Sequence, residues 1–263
     1  MTSNPILGTL LHAVGGASAS TCYLPNHKTK QRSWGTFWLV QATFAWLLMP
    51  LLLGWLTVPN FFEVLQKSPS GAFWGAFLLG GVYGFGGMSF GYAIRNIGYS
   101  LTYTIGIGIS AVLGTLTPII MRGQVAEYFS RPGSGIVLIG MVLSVIGVSL
   151  CGWAGFKKES DLGELKNSVH FNMTTGLTLA IIAGLLSAVF NISLEVGKPI
   201  SDLAAHYGAG NFEGNAKMIV STSGCFVVNL VWFVVLGIKD KSLKEFTKSR
   251  LTRKSCGLSV NFS

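Results

Sequence analysis

The stretch GGVYGFGGMSFGYAIRNIGYSLTYTIGIGISAVLGTLTP, Gly80 to Pro118, decides the fold. Two apolar runs meet across a polar joint, Arg95 to Ser100, and nearly every other residue is small or apolar. Glycine in a water-exposed helix costs roughly 1 kcal/mol against Ala, so this density needs a reason. In a membrane the reason is close backbone approach, where van der Waals contact between helices replaces the missing hydrophobic drive. The stretch therefore predicts two successive membrane-spanning helices.

Composition points the same way. Only 11% of residues are charged, half are hydrophobic and the mean hydropathy is +0.54, whereas soluble chains carry about 25% charged residues. A water-facing surface could not be covered, so the expectation is an all-α integral membrane protein set in a lipid bilayer. The net charge of +9 lies mostly in loops and tail and reads as membrane topology, not as a nucleic-acid surface. Cys22, Cys151, Cys225 and Cys256 have neither metal nor redox spacing and are expected as free thiols. Met1 to Pro5 lacks a basic leader, so the first apolar stretch is expected to remain as a span.

Runs of about 20 apolar residues, the length that crosses a hydrocarbon core, number seven: Ile6 to Leu24, Gly35 to Val58, Gly71 to Ile94, Tyr99 to Met121, Gly135 to Phe156, Met173 to Lys198 and Ala216 to Ile238. Pro59 to Ser70 and Ile200 to Asn215 read as polar surface segments, with Pro199 closing the sixth span. Alternating the spans puts fourteen Lys and Arg on one side and five on the other, so the richer side is expected in the cytoplasm and the N-terminus outside. The charged linker Lys157 to His170 is the expected boundary between residues 1–156, a first five-helix repeat, and residues 157–263, the linker, two helices of a second repeat and a basic tail. Gly176 and Gly184 repeat the eight-residue spacing of Gly8 and Gly16, a trace of internal repetition. An odd number of spans before the boundary predicts an inverted repeat.

Three runs carry a resemblance: Gly91 to Ser100, Ile105 to Ser110, and Gly114 to Ile120. With His12 to Ala19, Tyr23, Pro25, Ser33-Trp34 and Lys198-Pro199, they make the chain similar to the L-rhamnose/proton symporter family of bacterial inner membranes. That resemblance implies a ten-helix inverted-repeat transporter, five helices plus five, of the drug/metabolite transporter kind. It implies sugar and proton as the partners and no cofactor. Seven spans against ten suggest a chain cut short at its C-terminal end.

Ionisable residues inside spans are functional candidates by default. Histidine is the side chain whose ordinary pKa suits proton coupling, and His12 matches the family's histidine in the first span. Glu195 is the rival carboxylate, three residues from Lys198, so that the two share a helix face and can pair; it stands where the family is expected to carry a neutral residue. For sugar binding the candidates are the aromatic faces of Tyr83, Tyr92 and Tyr103, with Phe85 and Tyr99 beside them. Ser89 and Asn191, with Ser110 and Ser187, offer hydrogen bonds to hydroxyls, and Arg95 and Lys198 offer charge at span ends. Each also has an ordinary structural use, as packing, interhelical bonding or interfacial anchoring.

Gly106-Ile107-Gly108 does not complete a dinucleotide fingerprint, and Gly84 to Met88 lacks the Lys-Ser/Thr of a phosphate loop. His12, His27, His170 and His206 are isolated, so neither a metal site nor an enzyme is expected. The leading expectation is proton-coupled uptake of L-rhamnose or a related sugar. The alternatives are another drug/metabolite-type carrier with a different polar substrate, or a truncated membrane protein without activity; a seven-helix sensor is disfavoured because no signalling domain or chromophore lysine is evident.

Overall fold

A computed structural model describes residues 5–21, 34–161 and 172–239, and all regular structure among them is helical. In chain order the helices are α1 (Pro5–Thr21), α2 (Trp34–Ala42), α3 (Met49–Thr57), α4 (Phe61–Lys67), α5 (Ser70–Met121), α6 (Val125–Ser130), α7 (Ser134–Asp161), α8 (Met173–Val196), α9 (Lys198–His206) and α10 (Gly214–Lys239). A π-helical stretch, Thr43–Leu48, joins α2 to α3. Five described helical runs are long and apolar enough to cross a membrane: Gly35–Thr57, Ser70–Met121, Ser134–Ala154, Met173–His206 and Gly210–Leu236. Ile6–Ala19 is apolar but shorter. The chain is thus a multi-pass membrane protein.

Ser70–Met121 holds 52 residues. Straight, it would run roughly 78 Å at 1.5 Å per residue, far beyond a core of about 30 Å. It is instead two arms broken at Gly98, whose φ of 78° and ψ of 173° belong to a region open essentially to glycine alone. The arms fold back on one another, with the Phe90 and Tyr103 rings 5.0 Å apart and a Cβ on Gly106 falling 2.9 Å from the Phe90 ring. The joint expected at Arg95 to Ser100 is this break.

By its contacts the chain divides into two units, residues 42–231 and residues 1–41 with 232–263. In the larger unit, α8 lies along both arms of α5. It is antiparallel to the first arm, with Gly75 against Val196, Gly86 against Leu186 and Gly176 against Ile97. To the second arm it is parallel, with Gly184 against Ile109 and Gly114 against Asn191. Its start is capped by Asn172, whose side chain accepts from the Thr175 amide at 3.0 Å, as N-cap asparagines do. The Asn172 amide donates to the Asn96 carbonyl at the joint.

The α10 helix runs parallel to the first arm, with Gly80 against Ser221 and Gly84 against Cys225 and Asn229, and crosses it at two glycines: a Cβ on Gly80 would overlap the Ser221 carbonyl oxygen, and one on Gly224 the Phe77 carbonyl oxygen. Helix α7 runs antiparallel to the second arm, with Gly108 facing Val148 and Gly152 pressed on Thr104. In the smaller unit, Trp38 and Phe233 are buried, and Phe233 packs against Gly35.

Two segments expected as polar surface are helices instead. Within Pro59 to Ser70, α4 buries Phe61 and Val64 and leaves Glu63 and Lys67 outside. Within Ile200 to Asn215, α9 buries Ile200, Ser201 and Ala204. Pro199 ends nothing here. Gly197 breaks the path, and Pro199 sits in the first turn of α9, where its missing N–H has no intrahelical partner to lose. The buried faces of α4 and α9 join Val58, Ala76, Ala216, Ile219 and Val220 in one apolar cluster, which the sequence spacing alone does not announce. Cys151 and Cys225 are free thiols; Cys22 and Cys256 lie outside the described residues.

Candidate functional site

The hairpin of α5 and the helix that fills it bring some candidates together and hold others apart. In the middle of the first arm, the Tyr83 ring stacks tilted on Phe190 of α8, centroids 4.7 Å apart, with Trp46 edge-on at 6.5 Å. Asn191, next to Phe190, turns to the second arm: its Nδ2 donates to the Ser187 carbonyl at 3.2 Å and lies 3.0 Å from where a Gly114 Cβ would stand. Tyr83 and Asn191 therefore flank one seam, where α8 meets both arms. Aromatic faces with nearby amide groups are what a pyranose needs, since its C–H face stacks and its hydroxyls hydrogen-bond.

Toward the joint, Arg95 is exposed and its guanidinium carbon stands 6.0 Å from the Tyr92 ring centroid, at the limit of a cation–π contact. Ser89 donates to the Phe85 carbonyl at 2.8 Å, a bond within its own helix. Tyr103 packs edge-on against Phe90.

At the far end, Glu195 meets Arg122, not Lys198. Arg122 Nη2 donates to both carboxylate oxygens, at 2.8 and 2.9 Å, and its Nε to Oε1 at 3.0 Å. The i,i+3 pair expected with Lys198 fails because Gly197, at φ −73° and ψ −1°, ends α8 before Lys198 starts α9. Lys198 is exposed. Helix α8 measures roughly 36 Å over its 24 residues, so Arg95 and Glu195 stand about a membrane apart and no single sugar touches both. His12 lies exposed on α1, in the smaller unit.

Three arrangements escape the sequence. Arg122 carries no motif, and its partner is 73 residues away. Ser193 Oγ donates to the Ala76 carbonyl at 2.7 Å and shares a hydrogen bond with the Ser221 hydroxyl at 2.8 Å, all buried. Asn229 is buried, its Nδ2 donating to the Cys225 carbonyl at 2.8 Å and the Gly84 carbonyl at 3.4 Å. A polar residue amid apolar ones in α10 was the available signal for Asn229. A recess of about 560 Å³ runs along residues 55–63; one continuous segment forms it, and no candidate residue lines it. Among the described residues no cluster suited to a metal ion occurs.

The family described as L-rhamnose-proton symport protein matches residues 1–252. An L-rhamnose-proton symporter of Pectobacterium atrosepticum is 31% identical over 230 residues, which cover 87% of this chain and 66% of that protein. One from Yersinia pestis bv. Antiqua is 30% identical over 247 residues, covering 93% of this chain and 71% of that protein. No solved structure matches.

Proposed function

The chain belongs to the L-rhamnose-proton symport family, a family of carriers and not of enzymes, and from that premise we propose that it moves L-rhamnose or a related sugar together with a proton across the bacterial inner membrane. The observation that carries the reading is the seam along α8. In a carrier built from two inverted repeats, substrate sits near the midplane where the repeats meet. Residues 1–156 are the first repeat in this reading and residues 157–263 belong to the second, so α8 against the α5 hairpin is a contact of one repeat with the other. In this reading the architecture is that of a ten-span inverted-repeat carrier, to which the seven spans expected from the sequence belong, and the N-terminus is outside.

The sugar stacks on Tyr83 and hydrogen-bonds to Asn191, with Ser89 a further polar contact. Tyr92, Arg95 and Tyr103 serve its passage at the joint end, and Lys198 at the opposite one. His12 carries the proton and Glu195 is its rival. The approach of α8 to both arms, with Tyr83 and Asn191 at the meeting line, supports the sugar site.

The test is a pulse of L-rhamnose given to de-energised cells producing the chain in lightly buffered medium. Symport alkalinises the medium, and protonophore abolishes the signal. Membrane-inserted protein that gives no proton movement with L-rhamnose or any related sugar overturns the proposal. Glu195, placed where the resemblance leads one to expect a neutral residue, favours as second reading a carrier of another polar metabolite, which a response to such a compound but to no sugar would establish.

A further inference from the structure

We infer that the Arg122–Glu195 pair is the latch of a gate, closing the end of the α5–α8 seam opposite the Gly98 joint and releasing when that end opens. The inference rests on the transport reading above, since a gate has a purpose only on a path. Among the described residues two other ion pairs occur, Lys67–Glu63 and Arg131–Glu127, and each joins residues only four apart in the sequence. Arg122–Glu195 joins the ends of two membrane helices 73 positions apart. It is forked, three bonds between 2.8 and 3.0 Å, a geometry that fixes orientation as well as distance.

The two ends of the seam differ in what opening would cost. At the joint, Ile97 is fully buried and presses on Gly176, and the Asn172 amide is bonded to Asn96. Opening there exposes apolar surface and strips a capped helix start. At the other end the side chains of Arg122 and Glu195 are 48% and 25% exposed. Both are part-exposed at the ends of α5 and α8, and an ion pair so placed exchanges its partner for solvent at small cost. Just inside it, Gly114 lies against Asn191, so parting Arg122 from Glu195 uncovers Asn191 first. Gly123, at φ 64° directly after Arg122, and Gly197, which ends α8 two residues after Glu195, flank the latch. Each side of the pair thus ends in a glycine, the residue that absorbs backbone change most freely. The pair has two states, joined or solvated, as a gate requires.

The experiment places one reporter, Asn191→Cys, in the 263-residue chain with its four native cysteines replaced, and follows its reaction with a charged maleimide on purified protein in detergent. No sugar is present. Arg122→Glu and Glu195→Arg should each speed labelling about fivefold to tenfold, the population shift expected from turning one attraction into a repulsion. The double reversal should return labelling to the slow rate. Equal rates in all four proteins overturn the inference, and so does a double reversal as fast as either single one. Thermal unfolding of each variant is measured alongside. If both single reversals fail to give a cooperative transition that the double reversal regains, the pair is a folding element, and the gate is overturned. The L-rhamnose pulse described above, given to the chain with Asn191 intact, separates this question from the transport reading: charge reversal that alters labelling, with no proton movement on L-rhamnose, leaves the gate standing and removes the support for that sugar.

Discussion

A single backbone angle allows Ser70–Met121 to be a hairpin. Gly98 holds φ at 78° and ψ at 173°, so Gly98→Ala should destabilise the protein by about 1–3 kcal/mol, the cost of forcing a Cβ into that region, read as a lower unfolding midpoint in detergent. The polar joint was legible because Arg95 and Asn96 interrupt an apolar run; the glycine that turns it was one of many and carried no mark of its own. Glu195 illustrates the limit. Its place at a span end could be read, but its partner could not, because Arg122 comes to it through the packing of two helices and Gly197 removes Lys198 from reach. Coupling is decided at this scale too. His12→Ala should abolish sugar-induced proton movement while exchange of preloaded sugar persists, and Glu195→Gln should leave proton movement intact. Normal coupling in His12→Ala, with loss in Glu195→Gln, would transfer the role to the carboxylate.

The glycines of the opening stretch have their explanation in pairs of helices. Gly80 and Gly224 let the first arm of α5 and α10 touch backbone to backbone, where a Cβ on either would overlap a carbonyl oxygen of the other helix. Gly80→Ala must push the helices apart and should cost about 1–3 kcal/mol, as overpacking does. Gly140→Ala on α7, with nothing within 4 Å of its Cβ, should leave the midpoint unchanged or raise it. Glycine density announced close packing in general, yet which glycines meet which helix depends on register, and no single sequence states register. The short helices α4 and α9 were missed for a related reason: each is brief, and its apolar face declares itself only against the other. Their outer side is held by Glu63, which accepts from Lys67 at 2.7 Å and from the Tyr207 hydroxyl at 3.1 Å. The Lys67 ammonium and the Tyr207 hydroxyl hold the Glu63 carboxyl below its usual range, and Glu63 raises Lys67. A depressed carboxylate contributes stability above its unfolded pKa and loses it as pH falls through the folded value. The contribution of Glu63 should therefore vanish on the acid side of the normal carboxylate range, and Glu63→Gln should flatten that part of the unfolding profile while leaving neutral pH nearly unaffected, since both side chains are solvent-exposed.

At the scale of the whole chain, contact direction gives the alternation of the described helices, and charge gives the orientation expected for it. The second arm of α5 is antiparallel to the first, α7 antiparallel to the second arm, α8 parallel to the second arm and α10 parallel to the first. That alternation gathers Arg95, the end of α7 with Lys157, and the start of α8 at one end of the bundle. Arg122, Glu195, Lys198 and Lys217 gather at the other. Alternating the spans of the sequence assigns these same residues to the two ends, and the count of basic residues, fourteen against five, adds an expected orientation, the richer end toward the cytoplasm. Reporter fusions test both together. A fusion after Lys166 and one after Lys248 should read cytoplasmic, and one near Gly208 should read outside. Inversion of all three would keep the alternation and reverse only the orientation drawn from charge. A fusion near Gly208 on the same side as the one after Lys166 would be a different failure: α8 would then not cross between them, and the seam on which sugar site and latch both depend would lie outside the membrane's path.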